Sequence, residues 1–174
     1  VGELLGLPRE IVWRHPFPGP GLSINVLCSN EDTVLRPEHQ DTLKLLHQHL
    51  LPTQASLLPV RSVGVQGDQR TYTEPAALLG PTDWEWLENT SIQLTNQVRA
   101  INRVVAYLPP QPTDQLPNWR VCRAFCDKPR LDLLRAAEAH VSETFANHGW
   151  LERIFQLLVI LLPISQDGHQ DSIV

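Results

Sequence analysis

Proline placement constrains this chain more than any other feature. Fifteen of its 174 residues are proline, and each lacks the N–H that a helix interior or a central strand requires. They fall mainly at junctions between apolar runs, so they punctuate a folded chain rather than prevent one from forming. Density is highest from Pro109 to Pro117, where four prolines leave room for neither a helix nor a central strand. The sequence therefore predicts a linker at 109–117. A second stiff segment, Pro16 to Gly21, mixes prolines with glycines and precedes the first apolar run.

Composition narrows the class. With 42% hydrophobic and 19% charged residues, the chain can bury one sizeable core or two small ones, and collagen-like or wholly disordered structures are excluded. A formal charge of -5 offers no general basic surface for a phosphate backbone, so nucleic acid is not an expected partner. The longest apolar run, Leu157 to Ile164, has eight residues including a proline, against the roughly 20 that a membrane-spanning helix needs. Three cysteines, Cys28, Cys122 and Cys126, cannot all pair within one chain, which predicts a reducing, cytoplasmic setting. Because the chain starts at Val1, has no methionine and ends on Ile173-Val174, it reads as a piece of a longer product.

Between the prolines, periodicity predicts the elements. Ile24, Val26 and Cys28 alternate in a strand over 22–29; Leu43, Leu46 and Leu50 recur at helical steps from Pro37 until Pro52 stops them. A strand over 56–65 runs into the turn Gly64-Val65-Gln66-Gly67-Asp68 and an extended return to Thr73, the signature of a hairpin. Thr82 and Glu85 have capping-box spacing ahead of an apolar stripe at Trp84, Leu87, Leu94 and Val98. A strand over 101–108 closes this half. Beyond the linker come an extended segment over 119–125, a helix over 128–146 with Asp127 before it and Asn147-His148-Gly149 after it, and a strand over 157–164.

The second half repeats the order of the first. Gln54 precedes Leu57-Leu58-Pro59-Val60, and Gln156 precedes Leu161-Leu162-Pro163-Ile164, so the sequence predicts a duplicated α+β unit of small antiparallel sheets with packed helices, its second copy truncated. The expected layout is a junction at 1–21, a first unit at 22–108, the linker at 109–117 and a second unit at 118–174.

Few residues carry chemistry. Asp68 and Arg70 sit two apart beyond a glycine turn: a guanidinium matches phosphate with paired hydrogen bonds, while a carboxylate accepts from ribose hydroxyls or a base N–H. The pair suits a nucleotide monophosphate, although an exposed hairpin with two surface charges has the same composition. Arg14 and His15 open the Pro/Gly segment, which suits either an interdomain connector or an anion-facing loop. Cys122 and Cys126 with His140 and His148 match no standard zinc spacing, so no metal site is expected. His39, His47 and His49 are read as surface histidines on one helix. No nucleophile–base set, P-loop or dinucleotide fingerprint occurs, and no catalytic residue is assigned.

At Leu5-Gly6-Leu7-Pro8, Arg14 to Leu22, and Leu58 to Asp68, the chain resembles the C-terminal domain of glutamine-hydrolysing GMP synthase. Asn102-Arg103-Val104-Val105 resembles that family's closing strand, and Leu133 to Ala139 with Gln156 and Leu161-Leu162-Pro163 resembles its core helix and strand. The two-copy layout is similar to the longer, eukaryotic-type branch. The resemblance implies a ligase of purine biosynthesis in which xanthosine monophosphate is adenylylated by ATP with magnesium and then aminated with ammonia from glutamine. Neither the glutaminase module nor the ATP-pyrophosphatase module of such an enzyme is represented in these residues, which contain no SGGxDS-type loop. This piece would bind no cofactor itself; ATP and magnesium belong to the parent enzyme. Its role would be to complete the nucleotide site and mediate assembly, as a homodimer or an internal pseudo-dimer.

By the same resemblance, Asp68 and Arg70 match the GDxR positions that contact xanthosine monophosphate, and Gln156 matches a glutamine that also reaches it. Arg14, His15, Pro16, Gly19 and Gly21 would form the junction loop beside the nucleotide. Asn25 stands where the family usually carries arginine, and the family's final Lys/Glu segment has no counterpart before Val174. The competing expectation is a non-catalytic paralogue that keeps the fold for oligomerisation.

Overall fold

The computed structural model describes residues 1–12, 21–30, 37–51, 54–66, 69–80, 83–109, 112–151, 153–154 and 156–166. Two compact units divide the chain, one holding residues 1–30 and 124–162, the other holding 31–123 and the stretch beginning at Pro163. The units alternate along the chain instead of following one another, so the Pro-rich segment at 109–117 falls inside the second unit.

The second unit is built on a three-stranded sheet in the order β1 (Ala55–Leu57), β4 (Ala76–Leu79), β5 (Val104–Tyr107). β1 runs antiparallel to β4, and β5 runs parallel to β4. A parallel neighbour requires a crossover, which α3 (Trp84–Gln97) supplies between β4 and β5. Leu87 and Leu94 of α3, with Val98 just after it, are buried as the stripe predicts, whereas Trp84 at its start is exposed. The cap lies one residue later than the sequence predicts: the Asp83 carboxylate accepts from Trp86 N at 3.1 Å. An aspartate at this position satisfies the N3 amide at least as well as threonine does.

α2 (Pro37–Leu46) contributes Leu46 to the same core, beside Leu57, Leu78 and Ile101, with Leu43 and Leu50 packed against it. His39 on this helix is a correction to the surface assignment. It is 4% exposed, and its Nδ1 lies 2.6 Å from Glu74 Oε2. Partly buried His47 also turns inward, donating from Nε2 to Ala55 O at 3.0 Å. Histidines at 39 and 47 sit eight positions apart, about two helical turns, so both can follow the apolar face.

The predicted strand over 56–65 is two strands. After β1 the chain turns at Pro59 and restarts as β2 (Ser62–Gln66), which pairs antiparallel with β3 (Gln69–Thr73) in a separate two-stranded sheet. A further pair joins β6 (Trp119–Val121) to β7 (Ile164–Gln166). Beside it Tyr107 meets Trp119 edge-on at 5.6 Å and donates its hydroxyl to Gln166 Oε1 at 3.3 Å.

The first unit is organised by α4 (Lys128–Asn147), whose cap is Asp127 as predicted: its carboxylate accepts from Arg130 N at 3.0 Å. The predicted strand over 22–29 is instead a 3-10 turn, Leu22–Asn25, followed by isolated bridges from Val26 to Leu161 and from Ser29 to Ala124. Alternation fails because Ile24 is 61% exposed while neighbouring Asn25 and Val26 are both buried. Val26, Leu134 and Leu161 form the core, so the predicted strand over 157–164 reduces to a bridge at Leu161 and the start of β7. Arg130 Nη1 donates to Leu27 O at 2.9 Å and Phe125 O at 3.1 Å, tying the helix start to both segments.

On the exposed side of α4, Asp132 accepts from Lys128 and from Arg135 Nη1. The hydrogen bond from Lys128, outweighing desolvation and joined by the charges of Lys128 and Arg135, holds the Asp132 carboxyl below its ordinary value of 3.8. A depressed folded-state value means the stabilisation is present above the unfolded value and is lost as pH falls through the folded one. Asp132→Asn should therefore lower stability slightly at pH 7. Its difference from wild type should disappear in acid, as thermal melts across pH would show.

Candidate functional site

Of the residues predicted to read a nucleotide, the structure describes Arg70 and Gln156, while Asp68 lies outside the described residues. Arg70 is exposed on β3 and faces Val65 across the hairpin register. Among the described residues it makes no ion pair. Gln156 is exposed in the irregular segment after α4. These two residues belong to different compact units. Of the junction residues, Arg14, His15, Pro16 and Gly19 lie outside the described residues, and Gly21 precedes the 3-10 turn with φ 107°.

The hairpin that carries Arg70 is held by polar contacts from a distant residue, Asn102. Asn102 Nδ2 donates to Ser62 O at 3.1 Å, Thr71 O at 3.2 Å and Thr71 Oγ1 at 3.0 Å. Its Oδ1 accepts from Ser62 Oγ at 2.7 Å. Thr71 Oγ1 lies 3.3 Å from Gly64 O, and Arg103 Nη2 donates to Val63 O at 3.1 Å. One asparagine thus bonds both strands of the stem, and the adjacent arginine adds a third anchor. Close approach requires Gly64, where an added Cβ would lie 2.6 Å from Asn102 Cβ.

The sequence predicts Asn102 and Arg103 only as strand residues. Their partners lie 31 and 40 positions away, beyond any local periodicity; the only sequence signal is a glycine at 64 within an otherwise β-prone run.

No group of three or more metal-ligating side chains occurs among the described residues. No helix among them is long and apolar enough to cross a membrane. The exposed Arg70 on a pinned hairpin suits ion pairing with an anionic ligand, through a guanidinium that can give two parallel hydrogen bonds. Fold and hairpin together define an α+β module that presents one exposed arginine on a two-stranded hairpin.

Relatives define it further. No protein-family model matches the chain. Probable GMP synthase (glutamine-hydrolyzing) of Leptospira interrogans, serovar copenhageni, is 37% identical over 179 aligned positions, covering 100% of this chain and 28% of that protein. GMP synthase (glutamine-hydrolyzing) of Prochlorococcus marinus strain MIT 9303 is 44% identical over 134 positions, covering 64% of this chain and 25% of the relative. The protein of that name from Bdellovibrio bacteriovorus is 40% identical over 125 positions, covering 60% and 25%. The chain is a homologue of one segment of the glutamine-hydrolysing GMP synthases, spanning 25% to 28% of the length of these three.

Proposed function

We propose that this chain is the C-terminal part of a GMP synthase, where it completes the xanthosine monophosphate site and mediates assembly of the enzyme. The observation that carries the reading is similarity to a GMP synthase along the whole chain. In this reading Asp68, Gln156 and, on the hairpin, Arg70 contact the nucleotide, and Arg14 to Gly21 forms the junction beside it. The sequence pattern Gly67-Asp68-Gln69-Arg70 and the exposure of Arg70 support that assignment.

Chemistry is shared with modules outside these residues. Glutamine hydrolysis supplies ammonia, and ATP with magnesium activates the nucleotide in the pyrophosphatase module. This segment's own contribution is to hold the anionic substrate in place with Arg70, whose planar guanidinium can give a phosphate two parallel hydrogen bonds. Holding substrate favours binding and positioning rather than a proton transfer. The work of this segment should therefore appear in KM for the nucleotide more than in the rate of glutamine cleavage.

Internal duplication belongs to the same proposal. Leu57-Leu58-Pro59 and Leu161-Leu162-Pro163 share one burial sequence: the leucine and proline at the ends are buried, and the leucine between them is half-buried. Each string follows a helix that contributes to the core of its unit, α2 in one case and α4 in the other.

Arg70→Ala in the full-length enzyme should raise KM for xanthosine monophosphate by about tenfold to a hundredfold, the worth of a charge-assisted hydrogen bond to phosphate. Glutaminase activity measured without the nucleotide should be unchanged. Steady-state kinetics varying only the nucleotide tests this, and an unchanged KM removes Arg70 from the site.

A further inference from the structure

We infer that Asn102 is a positioning residue for nucleotide binding: it fixes the stem of the β2–β3 hairpin so that Arg70 is held where the substrate arrives. The inference rests on the assignment of Arg70 to the xanthosine monophosphate site.

A two-stranded hairpin alone is marginally stable in water and needs a third strand or an apolar face to hold it. This one has neither among its described side chains. β2 and β3 form their own two-stranded sheet, and the hydrophobic core of the unit draws on neither strand. Val63 and Tyr72, directly opposite each other, are 46% and 59% exposed. Among its described side chains, the ties between the hairpin and the rest of the unit are polar.

Asn102 is well placed to make such ties. On one side Ile101 is fully buried in the core, and on the other Arg103 O accepts from Ala76 N at 2.9 Å, so the backbone of Asn102 is fixed to the body of the unit. Its side chain then bridges Ser62 on β2 and Thr71 on β3. Thr71 is the immediate neighbour of Arg70, so the anchor acts one residue from the guanidinium it places. The chemistry fits only an amide: Nδ2 must donate to carbonyl oxygens while Oδ1 accepts from Ser62 Oγ. Aspartate has the same shape but would set a carboxylate oxygen against Ser62 O and Thr71 O, two acceptors with no proton between them.

Loss of the anchor leaves Arg70 chemically intact but distributed over more positions, and misplacement of a binding group by about 1 Å is enough to cost up to about a hundredfold in effect. Asn102→Ala and Asn102→Asp in the full-length enzyme should each raise KM for xanthosine monophosphate about tenfold, the size expected for one or two net hydrogen bonds. Glutaminase activity should not change. Because Asn102 acts through the hairpin, the two effects should not add. In an Arg70→Ala background, Asn102→Ala should raise KM by less than about threefold. Amide exchange at residues 69–73 should speed up in Asn102→Ala while exchange at β4 stays slow.

An unchanged KM in Asn102→Ala, or the same increase with and without Arg70, overturns the inference. Failure of the underlying assignment looks different: Arg70→Ala itself then leaves KM unchanged, and the inferred role in nucleotide binding falls with it, whatever exchange at 69–73 shows. Should Asn102→Ala not fold, Ser62→Ala removes one of the same bonds more gently; KM raised about threefold supports the role, and unchanged KM overturns it.

Discussion

Leu78→Ala lowers the unfolding free energy of its unit by about 2–5 kcal/mol, the range for removing a buried leucine and leaving a cavity. Leu78 is fully buried in β4, the strand between β1 and β5, and its backbone is paired on both sides, with Ala55 and with Ala106. Its own strand contributes two alanines immediately before it, Ala76 and Ala77. With the backbone paired on both edges and small residues beside it, the site has little freedom to collapse around the missing methyls, which places the cost toward the upper half of that range. Leu108→Ala is the control: Leu108 is 64% exposed, and its loss should change stability by less than about 0.5 kcal/mol. Urea unfolding, with hydrogen exchange at β4 and β5 to assign the transition to this unit, measures both. A loss under about 1 kcal/mol for Leu78→Ala would contradict the packing described.

Gly80→Ala should be nearly as costly, for a different reason. At the end of β4 the Gly80 N–H donates to Tyr107 O at 2.7 Å, and a Cβ at this position would lie 2.1 Å from that same carbonyl oxygen. Backbone, unlike the far end of a flexible side chain, cannot swing away. β4 and β5 must separate at this end, losing the hydrogen bond and straining the register, a combined cost of about 2–3 kcal/mol. The displacement also reaches Tyr107, whose ring packs edge-on to Trp119 and whose hydroxyl bonds Gln166. Gly80→Ala should accordingly alter the near-ultraviolet circular dichroism of the aromatic pair as well as lower the melting temperature. A wild-type spectrum with an unchanged melt would show that the strands can accommodate the methyl group.

Short-range signals in the sequence carried well into structure. The stripe Leu87, Leu94, Val98, the helix from Pro37 and the helix opened by Asp127 all form as their spacing predicts, because each depends on residues one or two turns apart. The α+β class follows from the same evidence. Strand limits were less legible. Ile24, Val26 and Cys28 alternate as in a strand, yet only Val26 finds a core to enter, since the partner that would make the segment a sheet offers a bridge at Leu161 and no longer ladder. The run from Ser56 to Val65 is apolar enough for one strand, but Pro59 divides it between the main sheet and the hairpin.

The candidate site shows the same division more sharply. Arg70 was legible as a candidate anion-binding group because its chemistry is written in its own side chain and in the Gly-Asp-x-Arg pattern around it. Asn102 was not, since an asparagine at the start of a strand has no local mark of the hairpin it will hold. His39 has no local mark of burial either: only the folded chain brings Glu74 to its ring. Proline punctuation, the helices, the α+β class and the likeness to GMP synthases are readable from the chain alone, since all of them rest on local spacing or on residue identity. Tertiary structure alone decided that the two compact units interleave along the chain, that the hairpin stands apart from the main sheet, and that Asn102 and Gly64 meet. Those facts depend on contacts between residues tens of positions apart, whose free energy exists only after the chain has closed the intervening loops.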